Sequence, residues 1–88
     1  MVIPKTFQLA GVKWKVKNTK IMNELGLCDR DKATIHLKLD QEQSSRETTF
    51  CHELVHALKY TLGDGGPHEE KEVDALGYLL HQYMITVK

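Results

Sequence analysis

The chain has 88 residues, 41% hydrophobic and 27% charged, with twelve Lys and Arg against twelve Asp and Glu and a formal net charge of zero. That length holds one hydrophobic core and excludes a second, and the even charge excludes a chain-wide electrostatic commitment to nucleic acid or to an anionic membrane. No apolar run approaches a membrane span, the first residues lack the pattern of a signal peptide, and two cysteines make no disulfide framework, so a reducing, cytoplasmic setting is expected. A single domain of this size commonly needs a staple, and with disulfides set aside a bound metal or oligomerisation is left.

Residues 1–40 read as strands. Phe7, Leu9, Val12, Trp14 and Val16 alternate with Thr6, Gln8, Lys13, Lys15 and Lys17. This period of two, broken at Ala10-Gly11, predicts an antiparallel hairpin with one buried face. Residues 18–26 fit a short helical turn through Ile21, Met22 and Leu25, ended by Gly26. A second strand pair is expected at 25–28 and 33–39, joined by the polar turn 29–32. Ile35, Leu37 and Leu39 then share one face, and Thr34, His36 and Lys38 the other. The first twenty residues carry five Lys and no acid. Alternating Lys on a strand reads as a solvated or edge-protecting face, and no nucleic-acid partner is expected.

The second half is helical. Ser44 followed by Glu47 has the form of a capping box, in which each side chain covers an orphan backbone donor. Phe50, Leu54, Ala57, Leu58 and Leu62 then recur at helical spacing until Gly63, which predicts a helix over about 44–62. After the loop 63–67, Pro67 suits the first turn of a helix over about 67–85, with Val73, Leu76, Leu79, Leu80 and Tyr83 on its buried side. The expected class is α+β, a β-rich half followed by two antiparallel helices.

The first helix contains His52-Glu53-Leu54-Val55-His56, an HExxH motif. Residues four apart differ by only about 40° around a helix axis, so both imidazoles project from one face and can bind one zinc ion. Glu53 stands beside them, where its carboxylate can reach a water on the metal, accept its proton and pass it to a leaving amine. A catalytic zinc takes three protein ligands and keeps a fourth position open. Lys59 and Leu62 stand where a metzincin would place its Gly and third His. The third ligand is therefore sought among His68, Glu69, Glu70, Glu72 and Asp74. Glu69 and Glu72 are equally explained as carboxylates that favour a helix N-terminus, and His68 offers the commonest metal-binding side chain.

Glu70-Lys71-Glu72-Val73-Asp74 resembles the ExxxD continuation of thermolysin-like gluzincins. More widely, residues 26–83 resemble the ImmA/IrrE-type metallopeptidases, with SprT-like zinc proteins as neighbours. The resemblance is carried by Leu27-Cys28-Asp29, by Thr34-Ile35-His36-Leu37, by the run Thr48-Thr49-Phe50-Cys51-His52-Glu53-Leu54-Val55-His56-Ala57, and by residues 70–80, which echo E-x-E-A-N-x-F-A-x-x-L. Val73 stands for Ala, Asp74 for Asn, and Leu76-Gly77 for Phe-Ala. The resemblance implies a small zincin-like domain, a short twisted antiparallel sheet packed on the motif helix. It implies one zinc ion on His52, His56 and Glu70, with Glu53 as general base and Asp74 accepting a hydrogen bond from the outer nitrogen of His52. A protein or peptide substrate would pair with the sheet edge above the zinc, at the 33–39 strand.

The expected function is therefore that of a zinc-dependent peptidase. The alternative is a structural zinc that closes the helix hairpin of a protein-binding module without catalysis. Gly77 falls on the stripe of Glu70 and Asp74, where a missing side chain permits close approach of the helices. His81 lies roughly 16 Å along the axis from Glu70, outside a tight centre. Cys51 points away from His52 and reads as a core residue, and Cys28 lacks the surroundings of a thiolate ligand. Tyr60, Tyr78 and Tyr83 could each hydrogen-bond an oxyanion, and nothing in the sequence chooses among them.

Overall fold

The computed structural model describes residues 1–20 and 23–88. In chain order the elements are β1 (Thr6–Leu9), β2 (Val12–Thr19), β3 (Gly26–Asp29), β4 (Thr34–Lys38), α1 (Gln43–Thr61) and α2 (Glu70–Thr86). The β1–β2 hairpin turns through Ala10 at φ 49° and Gly11 at φ 81°. Two positive φ values give the two-residue turn whose twist matches that of the flanking strands. Of the helical turn expected before β3, Ile21 and Met22 lie outside the described residues.

The sheet is mixed, with strand order β1-β2-β4-β3, which corrects the expected all-antiparallel sheet. Both hairpins are antiparallel, but β4 lies parallel to β2, with Val16 opposite Ile35. The reason is that β4 enters between β2 and β3. Trp14 is buried beside Ile35 and Leu37, which are fully buried, and together they are the strand side of the core. Each such aliphatic side chain contributes about 1.5–3 kcal/mol by leaving water. Placing β4 inside the sheet removes it as a free edge, so the 33–39 strand cannot receive a substrate strand. The edges are β1 and β3.

Helix α1 packs across the inner face of the sheet through Phe50, Cys51 and Ala57, with Phe7 stacked on Trp14 and set edge-on to Phe50. It begins at Gln43, and its N-cap, Glu42, makes no side-chain cap bond. The capping box of Ser44 and Glu47 does not form. Ser44 lies inside the helix, and Glu47 turns to the interior, where stronger donors meet it. The chain leaves α1 through Gly63 at φ 90°, and Pro67 precedes α2 rather than opening it. Leu58 and Leu62 are exposed, as are Leu76, Leu79 and Tyr83 on α2. Val73 is fully buried and Leu80 packs partly buried against the core, as expected, and Gly77 completes the buried face of α2. Among the described residues no helix is long and apolar enough to cross a membrane, and Cys28 and Cys51 are free thiols.

Glu47 is 9% exposed. It accepts hydrogen bonds from His81 Nε2 at 2.9 Å, Gln43 Nε2 at 3.1 Å and the α-amino group of Met1 at 3.3 Å. These donors, His81 foremost, hold its carboxyl down from 4.5 to about 2. A depressed folded-state pKa gives stability that is complete above the unfolded value and is lost as the pH falls through the folded one. Glu47→Gln is therefore expected to flatten the decline of melting temperature between pH 4.5 and about 2. Equal declines for variant and parent, followed by circular dichroism, would contradict this account.

Candidate metal centre

His52 and His56 lie one turn apart on the side of α1 that meets α2, with ring centroids 5.1 Å apart. The second helix comes close because residue 77 has no side chain. A Cβ there would lie 3.1 Å from His52 Cα and 3.2 Å from His52 N. That approach brings the first turn of α2 onto the two imidazoles. Glu70 Oε2 is 3.2 Å from His52 Nε2, and Glu70 Oε1 is 3.3 Å from His56 Nε2. One donor atom from each of the three residues lies within 4.8 Å of the other two.

These separations suit a zinc ion. Bonds of about 2.0–2.1 Å at tetrahedral angles set ligand atoms about 3.3 Å apart, near the 3.2 and 3.3 Å that separate the two imidazole nitrogens from the two oxygens of Glu70, one oxygen each. Two imidazoles and a carboxylate are also the donor types that borderline-soft zinc accepts. The set has three donors, and among the described residues no fourth joins it. His56 is held below its ordinary pKa, chiefly by burial and against the pull of Glu70. This favours the neutral imidazole that a metal requires. Asp74 Oδ1 is 2.8 Å from His52 Nδ1. A carboxylate at that distance fixes the hydrogen on Nδ1 and turns the Nε2 lone pair toward Glu70.

Glu53 is 8% exposed and has no ion-pair partner among the described residues. It lies beneath Gly26 of β3, where a Cβ would come within 2.5 Å of Thr49 Cγ2 and 3.1 Å of Glu53 Cγ. Burial raises its carboxyl first. His52 opposes the rise and Glu70 and Glu24 add to it, and the result is about 7. A carboxyl lifted in this way is a stronger proton acceptor than an exposed one once it is ionised. Glu53 lines the same cleft as His52, His56 and Glu70, a space of about 900 Å³ bounded by Leu25, Gly26 and Leu27 on one side and α2 on the other.

The remaining acidic and histidine candidates are sorted by their contacts. Glu69 accepts from Lys71 N at 2.9 Å and caps α2, while Glu72 pairs with Lys59. His68 stands outside the cluster; its Nδ1 meets His56 Nδ1 at 2.6 Å, on the far side of that ring from Glu70. His81 is engaged with Glu47. Burial raises the Cys28 thiol to about 12 and the Cys51 thiol to about 11, which keeps both protonated. Of the three tyrosines only Tyr78 lines the cleft, and Tyr60 packs against His68 at a tilt instead. Gly26 was invisible to motif reasoning, because its role depends on a strand 27 residues before Glu53 lying over that side chain.

Gly77→Ala isolates the close approach. In a helix interior alanine is favoured over glycine by about 1 kcal/mol, so local propensity predicts a more stable protein. The new Cβ would press on backbone atoms, which have no rotamer to escape into, at a cost of about 1–3 kcal/mol. The variant is expected to melt below the parent and to bind zinc roughly tenfold more weakly, since displaced ligand support costs affinity on that scale. A melting temperature above that of the parent, with zinc affinity unchanged, would contradict it.

Comparisons with protein-family models, with curated proteins and with solved structures find no match for this chain.

Proposed function

We propose that this chain is a zinc-dependent peptidase of the gluzincin type. The observation that carries the reading is the meeting of His52, His56 and Glu70 in one cleft with a buried carboxylate, Glu53, that has no cationic partner. Structural zinc sites use four protein ligands, whereas three donors leave a position for reactants, which supports hydrolysis over a purely structural role. Zinc held there would supply Lewis acidity, polarising the scissile carbonyl and easing deprotonation of water.

The chain's own residues account for the proton and for orientation. Glu53 accepts the proton of the attacking water and returns it to the leaving amine. Asp74 holds His52 in one tautomer. Edge strand β3 supplies the peptide-binding element in place of the inner 33–39 strand. Leu25 O accepts from Lys38 N at 2.8 Å, so alternation along the antiparallel ladder directs the N–H and C=O of Gly26 and Cys28 to the open edge. An extended substrate segment pairing there would run beside the metal centre.

Glu53→Gln keeps the size of the side chain and removes the base. The variant is expected to retain one zinc per chain by elemental analysis. Hydrolysis of an unfolded-protein mixture, read by mass spectrometry of new termini, is expected to fall about 10²–10⁴-fold. Undiminished cleavage would refute the mechanism. A zinc-loaded parent that shows four protein ligands by X-ray absorption and cuts nothing would favour the structural module.

A further inference from the structure

The partner of His56 on the side away from Glu70 is another imidazole. His68 Nδ1 lies 2.6 Å from His56 Nδ1, and His68 Nε2 lies 2.8 Å from the backbone oxygen of Asp64. The His68 side chain is 1% exposed. Its ring is held between His56, at 4.9 Å and 20° between planes, and Tyr60, at 4.6 Å and 48°. An imidazole so fully buried, with both nitrogens engaged and no bond to the ligand cluster, needs a role of its own.

We propose that His68 is a positioning residue that sets the tautomer of His56 through a relay anchored on the backbone. A carbonyl oxygen only accepts, so the hydrogen in the contact with Asp64 belongs to His68 Nε2. With that hydrogen on Nε2, His68 offers Nδ1 as the acceptor of the 2.6 Å contact, whose hydrogen then sits on His56 Nδ1. His56 Nε2 is left with its lone pair, directed at the place where Glu70 Oε1 stands 3.3 Å away. One fixed carbonyl thereby determines, through two rings, which nitrogen of a ligand is free to bind. The reverse tautomer of His56 would set two lone pairs against each other at 2.6 Å, a closer opposition than that of a bare Nε2 and Glu70 Oε1 at 3.3 Å. Imidazole also suits the place better than a carboxylate would. It orients the ring without a further negative charge in a cleft that already holds Glu53, Glu70 and Asp74.

This inference rests on the metal-binding reading of His52, His56 and Glu70, and its test separates the two. Zinc affinity of the full chain is measured by competition with a chromophoric chelator for the parent, His68→Phe and His68→Asn. Phenylalanine keeps the buried ring and its stacking and removes both nitrogens. Asparagine restores an acceptor, Oδ1, near the former Nδ1. His68→Phe is expected to weaken zinc binding about 10- to 100-fold, with His68→Asn recovering most of the loss. In the metal-free parent, ¹⁵N shifts of the imidazoles are expected to place the hydrogens on His56 Nδ1 and His68 Nε2. A folded His68→Phe variant that binds zinc within twofold of a zinc-binding parent overturns the relay and leaves the metal centre standing. A hydrogen found on His56 Nε2, as a doubly protonated His68 would enforce, overturns it whether or not the Phe variant folds. A parent that binds no zinc overturns the metal reading and the relay with it.

Discussion

The two helices meet where Gly77 of α2 lies against the backbone of His52, close enough that an added Cβ would stand 3.1 Å from His52 Cα. The candidate metal centre depends on this contact. Glu70, Asp74 and Gly77 fall on one stripe of α2, so the helix face that lacks a side chain at 77 also aims the carboxylates one and two turns before it at the imidazoles of α1. A bulkier residue at 77 would separate the axes, and the distances of 3.2 and 3.3 Å from Glu70 to the two histidines would lengthen with them. The same contact accounts for the exposure of Leu76 and Leu79 on α2. The helix is oriented by its polar stripe and its glycine, and Leu76, Leu79 and Tyr83 are left facing solvent.

Charge in the centre is arranged by the environment of each group. Glu70 and Asp74 are more than half exposed, and each faces an imidazole. Glu53 is buried under a strand with no cation to balance it, and desolvation holds its carboxyl far above the usual range. Burying an unpaired carboxylate opposes folding, and this marks Glu53 as a candidate site residue. Glu47 makes the contrast within the same helix. It is just as buried, but three donors satisfy it and its carboxyl is held down instead of up.

The sheet contributes by what it leaves free. With β4 drawn inside by its apolar face, β3 becomes the edge beside the cleft, and Gly26 on that edge makes the space that Glu53 occupies. A tight strand–helix contact at Gly26 and a tight helix–helix contact at Gly77 thus flank the motif. Both are sites where backbone approaches closely because no Cβ intervenes.

Much of this was legible in the sequence, for a physical reason. Alternation and helical periodicity are local, so the strands near 6–19, 26–29 and 34–38 and the two helices follow from residue spacing, as does the shared face of His52 and His56. The role of Gly77 was legible too, because its stripe can be counted. The parallel pairing of β2 with β4 was not, since register across a sheet depends on which strand buries most apolar surface against neighbours far away in sequence. The capping box failed because local hydrogen-bond rules cannot see His81, 34 residues on, competing for Glu47. That Glu70 rather than His68 joins the two imidazoles was likewise beyond spacing alone. Both residues lie within a turn of the helix start, and only the packed hairpin places one between the imidazoles and the other behind His56. The sequence by itself determined which chemical groups were available and which faces they shared. The tertiary structure decided which of them converge, because convergence depends on distances between elements that no local pattern encodes.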